Sequence, residues 1–341
     1  MGLFSSLFGR NKNESPSGPE GVAIQAAIEQ LVEAVDPRIR FIRGYQKKLR
    51  PGVEAALKYA RDIVARIPGP FALDTETWRR EPVVNAAFAR ADELPAAVSR
   101  SVEVREFFEQ GAGKYSPECF ALFGMQRQER RIFGKALVGE LIQSDVVQTT
   151  VSFADYRLIV PATTLDELKL AIERRAFHHL VEEAIDQVAK ALERKRGLEE
   201  QRAVLRLKLK LMARQRQGLH GLVEAEPHAD QKAEDLQKEL AEVEARFCKL
   251  HITLTNLENY MPHLNKVLGH PEQYLSLQEV SLRLNRMNIL VTAPTKEPAQ
   301  ELSLTEATLR DGRSFVLLLV TCARDQLRPQ QALLDEAARL L

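Results

Sequence analysis

The chain has 341 residues, 45% of them hydrophobic, with 48 basic and 47 acidic side chains and a formal net charge of +1. That length suits about two domains, and so balanced a charge excludes a global field drawing the protein to nucleic acid or an anionic surface. Three widely spaced cysteines, Cys119, Cys248 and Cys322, offer neither a disulfide framework nor a zinc knuckle, which suits a reducing cytosol.

The first ten residues, MGLFSSLFGR, lack the basic segment and long apolar core of a secretory leader. Leu3, Phe4, Leu7 and Phe8 would make a short amphipathic foot for a membrane interface. Gly2 with Ser6 also fits the myristoylation pattern. A floppy terminus is the simpler expectation, because the run 11–20 is rich in Pro, Ser and Gly. Residues 1–21 therefore read as a flexible tail.

Helical periodicity begins near Val22 and runs to Val35. Asp36-Pro37 then supplies a helix start. The pattern predicts helices over 37–49 and 52–67, meeting at Pro51-Gly52 and stopped by Pro68-Gly69-Pro70. Segment 37–50 holds six cations and no acid. On one helix, Arg40, Arg43, Lys47 and Arg50 share a face. Such a row would meet phosphates, acidic lipid headgroups or an acidic helix; the plainer alternative is a solvated face. Three further helices are expected over 82–142, broken near Pro95 and Gly111, with Trp78 covering the bundle end. Residues 22–143 thus read as a helical domain.

From Val146 to Phe153 and from Tyr156 to Val160, β-branched and aromatic residues predict two strands around a turn at Ala154-Asp155. A long helix follows over 165–216, opened by Thr163-Thr164. Gly218, Gly221 and Pro227 break it. The second arm carries a heptad seam: Leu236, Leu240, Val243, Phe247, Leu250, Leu254 and Leu257, continuing through Met261, Leu264 and Leu268. Segment 190–216 holds ten Lys or Arg against three Glu, and 222–246 holds eight Asp or Glu against three Lys or Arg. An antiparallel hairpin sets basic arm against acidic arm; the alternative is the same pairing between two chains. Pro262 should end or kink the second arm near Tyr260.

Strand patterns return at 279–284, 287–292, 302–309 and 314–322, with Asp311-Gly312 as a hairpin turn. A closing helix is expected over 328–341. A lone hairpin is marginal in water, so the strands before and after the arms should join one sheet. The fold class is α+β and α-dominant: an N-terminal helical bundle, a small antiparallel β domain (144–163 and 272–341) and a coiled-coil hairpin inserted at 164–271.

Chemistry is hard to find. Gly111-Ala112-Gly113-Lys114 fails as a phosphate loop, because Tyr115 stands where Ser or Thr is needed. His178 and His179, one turn before Glu182 and Glu183, read as helical ion pairing. Cys248 and His251 are two ligands and not a zinc site. No nucleophile elbow, dinucleotide fingerprint or His-Glu-x-x-His motif occurs. No catalytic residue, cofactor or metal is assigned. The expected function is an intracellular, non-catalytic adaptor or scaffold. Its protein partner would meet the arm tip around Gly218, His220 and Gly221, and the face of Arg40, Arg43, Lys47 and Arg50. Nucleic acid is not an expected partner. The first alternative is a peripheral membrane or polyanion binder using the first decapeptide and the Arg40 row. The second is an enzyme with a motif-less interdomain cleft.

Overall fold

A computed structural model describes residues 19–138, 141–217, 229–254, 257–291 and 298–329. The fold is α+β and helix-dominant. Cα packing divides the chain into two compact units, Met1–Ala56 with His179–His270 and Leu57–His178 with Pro271–Leu341.

The first unit begins with α1 (Pro19–Val35), whose Ile24, Ile28, Leu31 and Val32 are buried. Asp36 then caps a short 3-10 turn, Pro37–Phe41, its carboxylate accepting from the Arg38 amide. Ile42 is extended and Gly44 has φ +73°, so the single helix expected over 37–49 is broken. Helix α2 (Tyr45–Arg66) starts only beyond that glycine. It runs straight through Pro51-Gly52, where the sequence signals a break. Gly52 is there for contact: a Cβ on it would stand 2.6 Å from Asn265 Oδ1 and 3.3 Å from Leu268 Cβ. The Asn265 amide donates to the Lys48 carbonyl at 2.8 Å, and Lys48 pairs with Glu258.

In the second unit a six-stranded sheet is built from β1 (Phe71–Ala72), β2 (Glu118–Val138), β3 (Leu141–Ala162), β4 (Leu275–Leu284), β5 (Gln300–Leu309) and β6 (Ser314–Ala323), in the order β3-β2-β6-β5-β4 with β1 pairing parallel to β6. Four short helices precede the long strands: α3 (Thr75–Arg80), α4 (Pro82–Ala87), α5 (Glu93–Arg100) and α6 (Val102–Glu109). Strand β2 (Glu118–Val138) occupies the place of the third expected helix. Its Gln126–Arg131 stretch has helix-favouring composition, yet pairing with β3 (Leu141–Ala162) overrides it. The turn expected at Ala154-Asp155 is a bulge. Asp155 takes φ +58° and absorbs one extra residue opposite Gly124–Gln126, so β3 continues without a corner.

Strands β4 (Leu275–Leu284), β5 (Gln300–Leu309) and β6 (Ser314–Ala323) complete the sheet. The β5–β6 hairpin turns at Asp311-Gly312, where Gly312 has φ +85°. The strand expected over 287–292 shrinks to two bridges, Ile289 to Thr150 and Leu290 to Leu284. Asn288, at φ +54°, bends the chain just before them. β2 and β3, before the arms, and β4–β6, after them, thus form one sheet. The helix expected over 328–341 falls almost wholly outside the described residues.

One sheet face packs on α4–α6 through Phe88, Phe108, Phe123, Leu304 and Val320. Tyr156 stacks on Phe88 and Phe123 and donates to the Ala87 carbonyl at 2.6 Å. Trp78 does not close a helical bundle; it packs half-buried on this core and donates to the Phe88 carbonyl at 2.9 Å. The other face buries Leu122, Ala162 and Leu319 against Val64 of α2, Ile67 just beyond it, and Leu168 and Ile172 of the long helix α7 (Leu165–Gln217).

Helix α7 (Leu165–Gln217) has 53 residues. Thr164 caps it, accepting from the Glu167 amide at 3.2 Å, while the Glu167 carboxylate accepts from Thr163 Oγ1 at 2.6 Å. Helix α8 (Ala229–Leu254) follows, and α9 (Tyr260–Gly269) begins after a 3-10 turn at Leu257–Asn259. Pro262 sits in the first turn of α9, where its missing donor costs nothing. The helix therefore restarts at Tyr260.

Candidate partner-binding surface

The outer parts of α7 and α8 both belong to the first unit. Their contact is built from the heptad positions. Val243 and Phe247 of α8 are buried, as is Leu205 of α7; Leu236 and Leu240 are half-buried. The Arg202 guanidinium lies 4.3 Å from the Phe247 ring centroid. Arg206 pairs with Glu244 at 2.5 Å. Basic α7 thus meets acidic α8 through the Arg206–Glu244 pair and the Arg202–Phe247 contact. Leu250 and Leu254 lie in α8 and half-buried Leu257 in the 3-10 turn beyond it. Met261, Leu264 and Leu268 are buried along α9.

Helix α7 has a second apolar row. Val204, Leu207 and Leu211 are 51%, 58% and 50% exposed, against 5% for Leu205. Their spacing of three and four residues puts them in one stripe. At 3.6 residues per turn the stripe lies roughly 150° around the helix from the edge that meets α8. Exposed Lys208 and Lys210 flank it, and neither has an ionic partner among the described residues. Isolated exposed leucines are ordinary; three at heptad spacing form a seam. In the sequence this row is outshone by the longer seam on α8. The signal was legible in Val204-x-x-Leu207-x-x-x-Leu211.

The four cations expected on one helix are divided by the break at Ile42 and Gly44. Arg40 lies on the 3-10 turn, Arg43 in the connection, and Lys47 and Arg50 in α2. Arg40 is held by Glu29 at 3.2 Å and Glu33 at 2.7 Å, and Arg50 by Glu54 at 2.6 Å. Arg43 and Lys47 are exposed, with no ionic partner among the described residues. Gly218, His220 and Gly221, expected at the arm tip, lie outside the described residues.

Among the described residues, no group of three His, Cys, Asp or Glu side chains is placed to hold a metal ion. His263 is partly buried, and burial lowers its pKa, with Lys266 adding to the effect. Cys119 and Cys322 are buried opposite one another in the β2–β6 register. A shallow depression at that end of the sheet is lined by Pro117, Glu118, Ala323, Arg324 and Asp325. Arg324 is committed there to the carbonyls of Lys114 and Phe108. Among the described residues, no helix is long and apolar enough to cross a membrane.

No protein-family model, curated protein or solved structure matches the chain.

Proposed function

We propose that the protein is a non-catalytic adaptor or scaffold in which α7 and α8 form an antiparallel coiled-coil hairpin that holds a protein partner. One observation carries this reading: α7 keeps an apolar stripe, Val204, Leu207 and Leu211, on the side away from α8. Fully burying an exposed side chain of this kind is worth about 1.5–3 kcal/mol, and with all three already about half-buried the stripe would gain roughly 2–5 kcal/mol on docking. The hairpin supplies a rigid support, since α7 alone extends roughly 80 Å at 1.5 Å per residue. Its length suits reaching or spacing a partner.

The test removes the outer arm in register. Because Arg206 faces Glu244 and Arg202 faces Phe247, deleting 203–244 and joining Arg202 to Ala245 through a short turn leaves the base of the hairpin paired. Affinity capture from the native cell, read by mass spectrometry, should then lose a stoichiometric partner while the sheet unit melts as before. A second deletion, of 213–232 alone, keeps the stripe and should keep the partner. Capture undiminished by the longer deletion overturns the reading.

A further inference from the structure

We infer that Val204, Leu207 and Leu211 receive one amphipathic α-helix of a partner protein, carrying carboxylates along the edges of its apolar stripe. This rests on the adaptor reading and names the partner's chemistry. The chain holds its own template. On one side of α7, an acidic heptad helix is already seated: Val243 and Phe247 fill the seam, Glu244 meets Arg206, and Arg202 covers the Phe247 ring. The other side of α7 repeats those parts and leaves them exposed. It offers apolar residues at heptad spacing, with Lys208 and Lys210 beside them.

Charge and packing select against a second copy of this chain. Two α7 stripes in parallel register would bring Lys208 and Lys210 against the same lysines, and an antiparallel pair centred on Leu207 would set Lys208 against Arg206; like charges across a helix pair are repulsive. A second copy's α8 has the right sign, but its Val243 and Phe247 are buried in its own hairpin. The occupant is therefore a helix from another protein, with apolar residues spaced three and four apart and Glu or Asp flanking them. Specificity comes from those flanks, since a lysine-edged helix of equal hydrophobicity would meet Lys208 and Lys210 directly.

The experiment uses the full chain and two designed helical peptides of identical leucine heptads, one flanked by glutamates and one by lysines. Fluorescence anisotropy should show the glutamate peptide binding on the order of tenfold or more tighter, with the difference shrinking at high salt. Leu207→Asp with Leu211→Asp should abolish binding, and both positions are exposed enough to leave the fold intact. Lys208→Glu with Lys210→Glu should reverse the peptide preference. Equal affinity for the two peptides, binding indifferent to Leu207 and Leu211, or a sedimenting dimer that those substitutions dissociate would each overturn the inference. Should natural-partner capture depend on residues 203–244 while ignoring all four substitutions, the adaptor reading stands and the acidic helix falls.

Discussion

Glu29 is the carboxylate on which the corner between α1 and α2 turns. Tyr45 Oη donates to its Oε1 at 2.5 Å, Gln46 Nε2 at 3.2 Å, and Arg40 Nε reaches Oε2 at 3.2 Å. These donors, the Tyr45 hydroxyl first, hold its pKa below the ordinary 4.5 despite opposing burial. A carboxyl whose folded pKa is depressed contributes stability above its unfolded pKa and loses it as pH falls through the folded value. Tyr45→Phe should therefore cost about 1 kcal/mol near neutrality. Urea midpoints of wild type and variant should converge as pH falls below 4.5. A gap that stays constant into acid would show that the tyrosine acts through packing alone. The same network explains why the Arg40 row is hard to see from sequence. Two of its neutralising carboxylates, Glu29 and Glu33, come from the preceding helix.

At the scale of elements, two helical glycines behave in opposite ways. Gly197 lies exposed in α7, and a Cβ there meets nothing within 4 Å. Gly197→Ala should raise stability by about 0.5–1 kcal/mol. Gly52 touches Asn265 and Leu268, so Gly52→Ala should cost about 1–3 kcal/mol through overpacking. Thermal melts of the two variants should move in opposite directions; a shared direction would mean that helix propensity alone decides both. Sequence treats both residues as interruptions, because a glycine that weakens a helix and one that admits a neighbour look alike. The same ambiguity hid β2. Both of its faces are covered near Phe120–Met125, so the two-residue alternation that announces a half-buried strand is missing there. Strands with turn chemistry, such as the pair at Asp311-Gly312, were plain. The exposed row on α7 was written in the sequence but outshone by the longer seam of α8.

For the molecule as a whole, the sheet's chain order sets its folding problem. Strand β2 must pair with β6, joining Glu118–Met125 to Val316–Ala323 across the intervening arms. Beyond Met125 the β2–β3 ribbon loses β6 as a neighbour, and Phe133 and Val147 on it remain exposed. Contacts this distant in sequence carry a loop-closure cost before they return anything. A chain truncated after His270 keeps β2 and β3 but lacks β4, β5 and β6. It should bind a hydrophobic dye and show no cooperative melt of the sheet unit, since a lone hairpin is marginal. Supplying 271–341 in trans should restore the transition. A cooperative sheet transition in the truncated chain alone would mean that β2 and β3 suffice with their helices.

The buried cysteines give that pairing a chemical clock. Cys119 and Cys322 face each other across β2 and β6, both wholly enclosed. The hydrogen bond between their thiols and burial raise the Cys322 pKa well above its usual value, and enclosure withholds both sulfurs from reagent while the strands stay zipped. Cys248 is exposed and should alkylate at once. Every later modification counts a separation of the first strand of the long hairpin from the last strand of the sheet. Iodoacetamide labelling of the native protein, followed by peptide mass spectrometry, should show Cys119 and Cys322 reacting together and slowly, at a rate that urea accelerates. Two unmatched rates would mean that separate local openings, and not one parting of β2 from β6, expose the two thiols. A natural pair of thiols thus times how often this protein parts β2 from β6.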